Sequence, residues 1–337
     1  MNEPRGDLRS PRGSSAWWLW VTRTFGVAVV VGVFAVVVPG LAPYADIADA
    51  IGAMSSRSRA SIAVLAVLNL GAPALAQSVA LPGLSVARAA ASDWASTAVS
   101  NLVPGGTVPS MAVTWTMYRS WDLDEGGIAR AMIATGVVDN LVKFVIPLPA
   151  ALWLARERPV DASLGTAAAT GAVLFILGVA LVGVVVGSPG IARRLGAWLD
   201  TFARLGGAWE ERLVQWRAAT VELARRRGAA LGVVTCLGHL NLFLLLLACV
   251  RGVGVGPDQI GTAGVLAAFA FGRLITAVPL TPGGLGVAEL GLIGTLDLVG
   301  GAETALVVSA VLLFRFLTFA IPVPLGGLTW AAWSLRR

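Results

Sequence analysis

Apolar residues run in long blocks along this chain, and polar residues collect between the blocks. Blocks at 25–41, 60–84, 126–153, 164–186, 229–250 and 302–333 approach or exceed the roughly 20 residues that cross a bilayer as a helix. Two further stretches, 86–121 and 260–299, are apolar but broken in the middle. Their arms (86–100 and 110–121, then 260–277 and 287–299) are each too short to span. The pattern predicts an all-α integral membrane protein. It has about six spanning helices plus two re-entrant helix-break-helix hairpins.

The breaks carry the sharpest local signal. Pro279-Leu280-Thr281-Pro282-Gly283-Gly284-Leu285-Gly286-Val287-Ala288-Glu289 places two prolines and three glycines in an apolar run. Proline brings no N–H and glycine no side-chain restraint, so a helix ends here. The freed backbone groups must then be enclosed by protein or a polar cavity. Alanine at Gly283 and Gly284 is expected to lengthen the helix, gain up to about 1 kcal/mol per residue in it, and stop any function that needs the break.

Both breaks belong to a repeated order. Leu102-Val103-Pro104-Gly105-Gly106 mirrors Leu280-Thr281-Pro282-Gly283-Gly284. Phe144-Val145-Ile146-Pro147-Leu148-Pro149 mirrors Phe319-Ala320-Ile321-Pro322-Val323-Pro324. Pro104 stands 40 residues before Phe144, and Pro282 stands 37 before Phe319. This predicts two repeats, 60–155 and 229–333, joined by a linker span and a basic segment over 164–228. With one span between them the repeats are inverted, a recurrent transporter plan. The whole of 17–337 then forms one polytopic domain behind a disordered cytoplasmic tail at 1–16, which carries Arg5, Arg9 and Arg12.

Composition narrows the function. The chain is 56% hydrophobic and only 13% charged, against about a quarter in soluble domains. Its net charge of +6 therefore reads as topology and contact with anionic lipid, with no nucleic acid as partner. Lys143 is the only lysine and follows Val142, so no Walker A motif is present. His239 is the only histidine, which disfavours a metal site, and no cofactor is expected. Cys236 and Cys249 share one apolar run and imply no disulfide framework.

Over 190–228, Leu195, Trp198, Leu199, Phe202, Leu205, Trp209, Leu213 and Trp216 recur mostly at three- and four-residue steps among arginines. This predicts a basic amphipathic helix on the membrane surface. Its arginines place it in the cytoplasm. Counting spans from there puts both termini inside, in a plasma-membrane protein. The basic stretch before 25–41 also fits a signal peptide; an uncleaved first helix is preferred, because no small-x-small site follows at once.

Charged groups inside the apolar blocks are the candidate chemistry, since each is unfavourable in lipid by about 3 kcal/mol on insertion scales. Asp139 and Lys143 lie four apart on one helix face. Arg315 sits mid-way along the last block and corresponds, by the repeat offset, to Asn140. Glu289 follows the second break and Arg273 precedes it. As packing pairs, Asp139–Lys143 and Glu289 with Arg315 or Arg273 would only fix helix orientation. His239 and Asn241 read as helix–helix hydrogen-bonding residues. Functionally, the cations Arg273, Arg315 and Lys143 and the helix ends around Pro104, Gly105, Gly106, Pro282, Gly283 and Gly284 suit an anionic phosphate or phosphodiester, as in a membrane-lipid head group.

These residues carry a family resemblance. The Pro282 to Glu289 run, followed by Phe314-Arg315-Phe316-Leu317-Thr318-Phe319-Ala320-Ile321-Pro322, resembles the membrane region of lysylphosphatidylglycerol synthases and its stand-alone relatives. Asn101-Leu102-Val103-Pro104-Gly105-Gly106 is similar to the family's first-repeat motif, and Asp139 falls where the family often has an acid. The family often carries an arginine shortly after the first break; this chain has none until Arg119. The resemblance implies a lipid flippase-like membrane protein handling a phospholipid, a modified lipid or a polyprenyl-linked sugar. In fused relatives a soluble C-terminal domain makes the aminoacyl-lipid. With the chain ending at Arg337, that transfer is not expected, and a transporter rather than an enzyme is. A non-transporting partner of a lipid- or glycan-modifying enzyme, and a small-solute permease, are the alternatives.

Overall fold

A computed structural model describes residues 44–103, 106–157, 209–277 and 282–336, with a few isolated positions between 188 and 197. The tail at 1–16, the predicted spans 25–41 and 164–186, most of 190–208, Pro104 and Gly105 lie outside the described residues. Among the described residues every regular element is helical.

The helices, in chain order, are α1 (Tyr44–Gly52), α2 (Ser56–Ala80), α3 (Val86–Leu102), α4 (Thr107–Arg119), α5 (Glu125–Val145), α6 (Pro147–Glu157), α7 (Trp209–Gly252), α8 (Thr262–Ala277), α9 (Val287–Val299), α10 (Thr304–Arg315) and α11 (Pro322–Ser334). Among the described residues, four stretches are long and apolar enough to cross a membrane: Ser56–Ala80, Glu125–Arg156, Arg225–Gly252 and Thr304–Ser334. They coincide, within a few residues, with four of the apolar blocks of the sequence.

Local chemistry sets the boundaries. Ser55 Oγ accepts from Ser58 N to start α2, Ser85 Oγ accepts from Arg88 N to start α3, and Asp124 Oδ2 accepts from Gly127 N to start α5. The mirrored Phe-x-Ile-Pro-x-Pro motifs interrupt both long spans. Ile146 separates α5 from α6. A π-helical turn, Phe316–Ala320, separates α10 from α11, with Ile321 N donating to Phe316 O at 3.0 Å. Pro322 and Pro324 supply no N–H, so the α-helical ladder cannot run through this region unchanged.

One expectation is corrected. From Trp209 onward the basic segment is not a separate surface helix. It runs without interruption into the apolar span as the 44-residue α7, about 66 Å at helical rise. No proline intervenes between Trp209 and Gly228 to end it. Arg227 Nη1 fastens it to α2 by donating to Val79 O at 3.0 Å.

Packing follows two helix pairs and two crossed contacts. α3 lies against α4, and α8 against α9. α2 and α7 pack along each other at the centre. α3 also packs against α11, while α8 packs against α6. The α3–α11 approach is very close: a Cβ at Gly326 would lie 2.0 Å from Trp94 O. The larger apolar core joins Phe243, Leu246, Val250, Phe269, Leu296, Val308 and Val311 from α7 to α10. Val64, Val67 and Leu68 of α2 and Val233, Leu237 and Leu240 of α7 are exposed. An apolar outer surface matches a lipid solvent, where hydrophobic residues need no burial.

A polar cavity beneath the second helix break

The second break is a left-handed turn. Gly283, Gly284 and Gly286 have φ of 55°, 72° and 82°, a region that L side chains seldom enter. A Cβ on Gly283 would also meet Phe319 Cε2 at 2.2 Å. Alanine would therefore strain this turn rather than extend a helix, which reverses the expected gain in stability.

Glu289, three residues into α9, closes the turn. Its Oε2 accepts from Gly286 N at 2.7 Å and its Oε1 from Arg315 Nε at 2.6 Å. Arg315 Nη2 reaches Gly283 O at 2.9 Å, and its guanidinium stacks over Phe319 with 5.0 Å to the ring centroid. Glu289 is 1% exposed. Arg315 thus neutralises the one carboxylate, satisfies a carbonyl freed by the break and leans on an aromatic face. Asn101, at the end of α3, donates to Phe319 O at 3.3 Å, so the first helix pair is tied to the π-helical turn whose Phe319 ring lies under Arg315. Gly106 packs against that arm, where a Cβ would lie 2.5 Å from Ser100 O.

A second charged group sits between α5 and α7. Asp139 Oδ2 pairs with Lys143 Nζ at 2.5 Å, and Asp139 Oδ1 meets His239 Nε2 at 3.0 Å. Asn140 is apart from it: exposed, it donates to Gly136 O one turn back on its own helix.

Between these groups lie two adjoining cavities, of about 250 and 470 Å³. Both are lined by Asn69, Pro73, Asp93, Leu242 and Arg273. The smaller also reaches Arg315, and the larger Asp139 and His239. Pro73 has no N–H for the Asn69 carbonyl, so backbone polarity is added here. Asp93 accepts from Gln77 Nε2 at 3.1 Å, and Gln77 Oε1 accepts in turn from Tyr118 OH.

Arg273 differs from the other cations. Arg315 and Lys143 each bond a carboxylate, whereas the buried Nε of Arg273 has no hydrogen-bond partner among the described residues. Asp139, of opposite sign, and Arg315, of like sign, act on it through space.

Of the twelve residues singled out in the sequence, Arg273, Arg315 and Asp139 line the cavities and Lys143 pairs with Asp139. Gly283, Gly284 and Glu289 form the turn beside them, and Pro282 opens it. Asp93 and Gln77 join the cavity without having been singled out. A signal for Asp93 exists. It is the one acid in the Ala- and Ser-rich arm before the first break, in the arm equivalent to that of Arg273.

Among the described residues, a helical bundle with four membrane-length apolar helices and charged groups around an internal cavity defines a polytopic membrane protein. The chain belongs to the lysylphosphatidylglycerol synthase TM region family, whose match covers residues 23–326. That membership ties it to membrane-lipid biology. No curated protein matches the chain.

Proposed function

We propose that this protein is a flippase-like transporter that carries the anionic head group of a phospholipid or polyprenyl-linked lipid through the cavity around Arg273, leaving the acyl chains in the bilayer. The observation that carries this reading is the Arg273 guanidinium. It lines both cavities, and its buried Nε is unanswered by any described protein group. A permanent cation in a low-dielectric site calls for an anion, and a phosphate or phosphodiester oxygen matches its fork of donors. Arg315 and Lys143 are each offset by a bound carboxylate, so they add less net positive charge than Arg273.

The packing supports the inverted-repeat plan. α3 of the first repeat packs on α11 of the second, and α8 of the second packs on α6 of the first, a reciprocal exchange. On this plan the short helix pairs are re-entrant, the termini are cytoplasmic, and the protein resides in the plasma membrane. The closed Glu289–Arg315 pair favours the alternative of a non-transporting partner of a lipid-modifying enzyme. The cavity beside it favours transport.

Reconstitution tests the proposal. In proteoliposomes with fluorescent short-chain phosphatidylglycerol, the wild type should expose inner-leaflet lipid to an impermeant quencher. Arg273→Gln should lower that rate about tenfold or more, the loss of one charge-assisted contact. Equal rates in protein-free vesicles, wild type and variant would count against transport.

A further inference from the structure

We infer that His239 is a proton-binding partner of the anion site, so that an anionic head group and a proton bind together. The inference rests on the head-group reading above and adds the coupled ion.

His239 lies on α7, is 7% exposed and lines the larger cavity beside Arg273. Its Nε2 is held 3.0 Å from Asp139 Oδ1. Its Nδ1 is buried and has no hydrogen-bond partner among the described residues. With Nε2–H donating to the carboxylate, neutral His239 presents a lone pair at Nδ1. Protonation at that position makes the ring a cation beside the cavity that His239 and Arg273 both line.

The surrounding charges give the coupling its sign. From α5, Asp139 favours the imidazolium and Lys143 opposes it. From α8, Arg273 opposes it. α2 contributes no ionisable group here, only Asn69 and Gln77 on the cavity wall. α10 contributes Arg315, bound to Glu289. Asp93 of α3 faces the same cavity. An anion seated at Arg273 offsets the local positive field around the ring. It therefore raises the proton affinity of His239, and by reciprocity a proton tightens anion binding.

The test uses the full chain in detergent. Dihexanoyl phosphatidylglycerol is the lipid probe, and glycerophosphoglycerol is the same phosphodiester without acyl chains. Both keep one negative charge across the range used. Wild-type affinity for the lipid should tighten at least about threefold from pH 8.0 to 5.5, and by no more than about tenfold per pH unit for one proton. His239→Gln, which can still donate to Asp139, should bind with no pH dependence, and Arg273→Gln should not bind at either pH. Because His239 is the only histidine, ring-labelled histidine reports its titration directly by NMR. Its midpoint should rise when the probe is added. Matching behaviour with glycerophosphoglycerol assigns the site to the phosphodiester itself; binding of the lipid alone assigns it to the intact head group with its chains. Either result supports the coupling. If the wild type binds the lipid but shows neither pH dependence nor a shift of the histidine midpoint, the coupling is wrong while the head-group reading stands. If the wild type binds neither probe at any pH, the head-group reading fails first and takes the coupling with it.

Discussion

Arg315 reaches Glu289 across 26 residues of chain, Nε to Oε1 at 2.6 Å, and the same guanidinium holds Gly283 O at 2.9 Å. One side chain thereby links three parts of the second break: the turn, the start of α9 and the end of α10. A nearly inaccessible carboxylate with both oxygens occupied acts first as a structural clamp. Removing one partner of such a pair leaves the other charge buried, a loss on the order of 3–5 kcal/mol. Glu289→Gln and Arg315→Gln should each lower the thermal midpoint in detergent, and the double variant should recover part of the loss. Recovery should be incomplete, because Gly283 O then loses its donor. Additive losses would mean that the two groups are energetically independent.

This pairing marks where sequence stops being informative. The helices are legible because apolar run length and prolines act locally, and the short helices on either side of each Pro-Gly run end and begin close to it. The partner of Glu289 is not legible: Arg273 and Arg315 are both within reach in a folded bundle, and only tertiary packing selects between them. The pairing of Asp139 with Lys143 follows from their spacing of four. The third member, His239, comes from a helix 100 residues away. Asp93 is not legible as a cavity residue because its arm of alanines and serines is only weakly apolar and carries no motif. The stability of the Gly-Gly turn is not legible for a related reason. Propensity describes residues in a helix, whereas the observed turn has positive φ.

Gly283 and Gly284 should differ sharply on substitution. Both have positive φ, but a Cβ on Gly283 meets Phe319 Cε2 at 2.2 Å, whereas on Gly284 its nearest neighbours are at 3.5 Å. Gly284→Ala should reduce stability by about 1–2 kcal/mol from backbone strain alone. Gly283→Ala should lose that and more, because Phe319 must move away from Arg315. Gly71→Ala in α2 has nothing within 4 Å and serves as the control. Thermal unfolding of the three variants decides; an equal effect at Gly283 and Gly71 would contradict the turn described.

The proposed orientation, argued from the arginine distribution, would put Ala53 outside and Ala218 inside the cell. Both residues are exposed, and Ala53 avoids the capping Ser55. In a background with Cys236→Ala, Ala53→Cys should react with a membrane-impermeant maleimide on intact cells. Ala218→Cys should react only after permeabilisation. The opposite labelling would invert the orientation.

Tyr118, Gln77 and Asp93 form a relay from the first helix pair into the cavity. Tyr118 donates to Gln77 Oε1, and Gln77 Nε2 donates to Asp93 Oδ1 at 3.1 Å. The order matters, because each amide end of Gln77 is fixed by one partner. The Tyr118 ring is 1% exposed and packs 6.1 Å from Trp121 between ring centroids. Tyr118→Phe keeps that packing and removes only the hydroxyl. It should therefore reduce stability by about 1–2 kcal/mol, the value of a lost hydrogen bond with a half-buried acceptor left unpaired. Without the hydroxyl, the Oε1 end of Gln77 is no longer fixed, so the amide holds Asp93 less firmly through Nε2. Transport of the fluorescent lipid should fall with Tyr118→Phe by more than the fraction of protein unfolded at the assay temperature. Gln77→Leu, which removes both ends of the relay, should lower transport at least as much. If both variants lose activity only in proportion to folded protein, the relay is purely structural and Asp93 needs no orientation to serve the cavity.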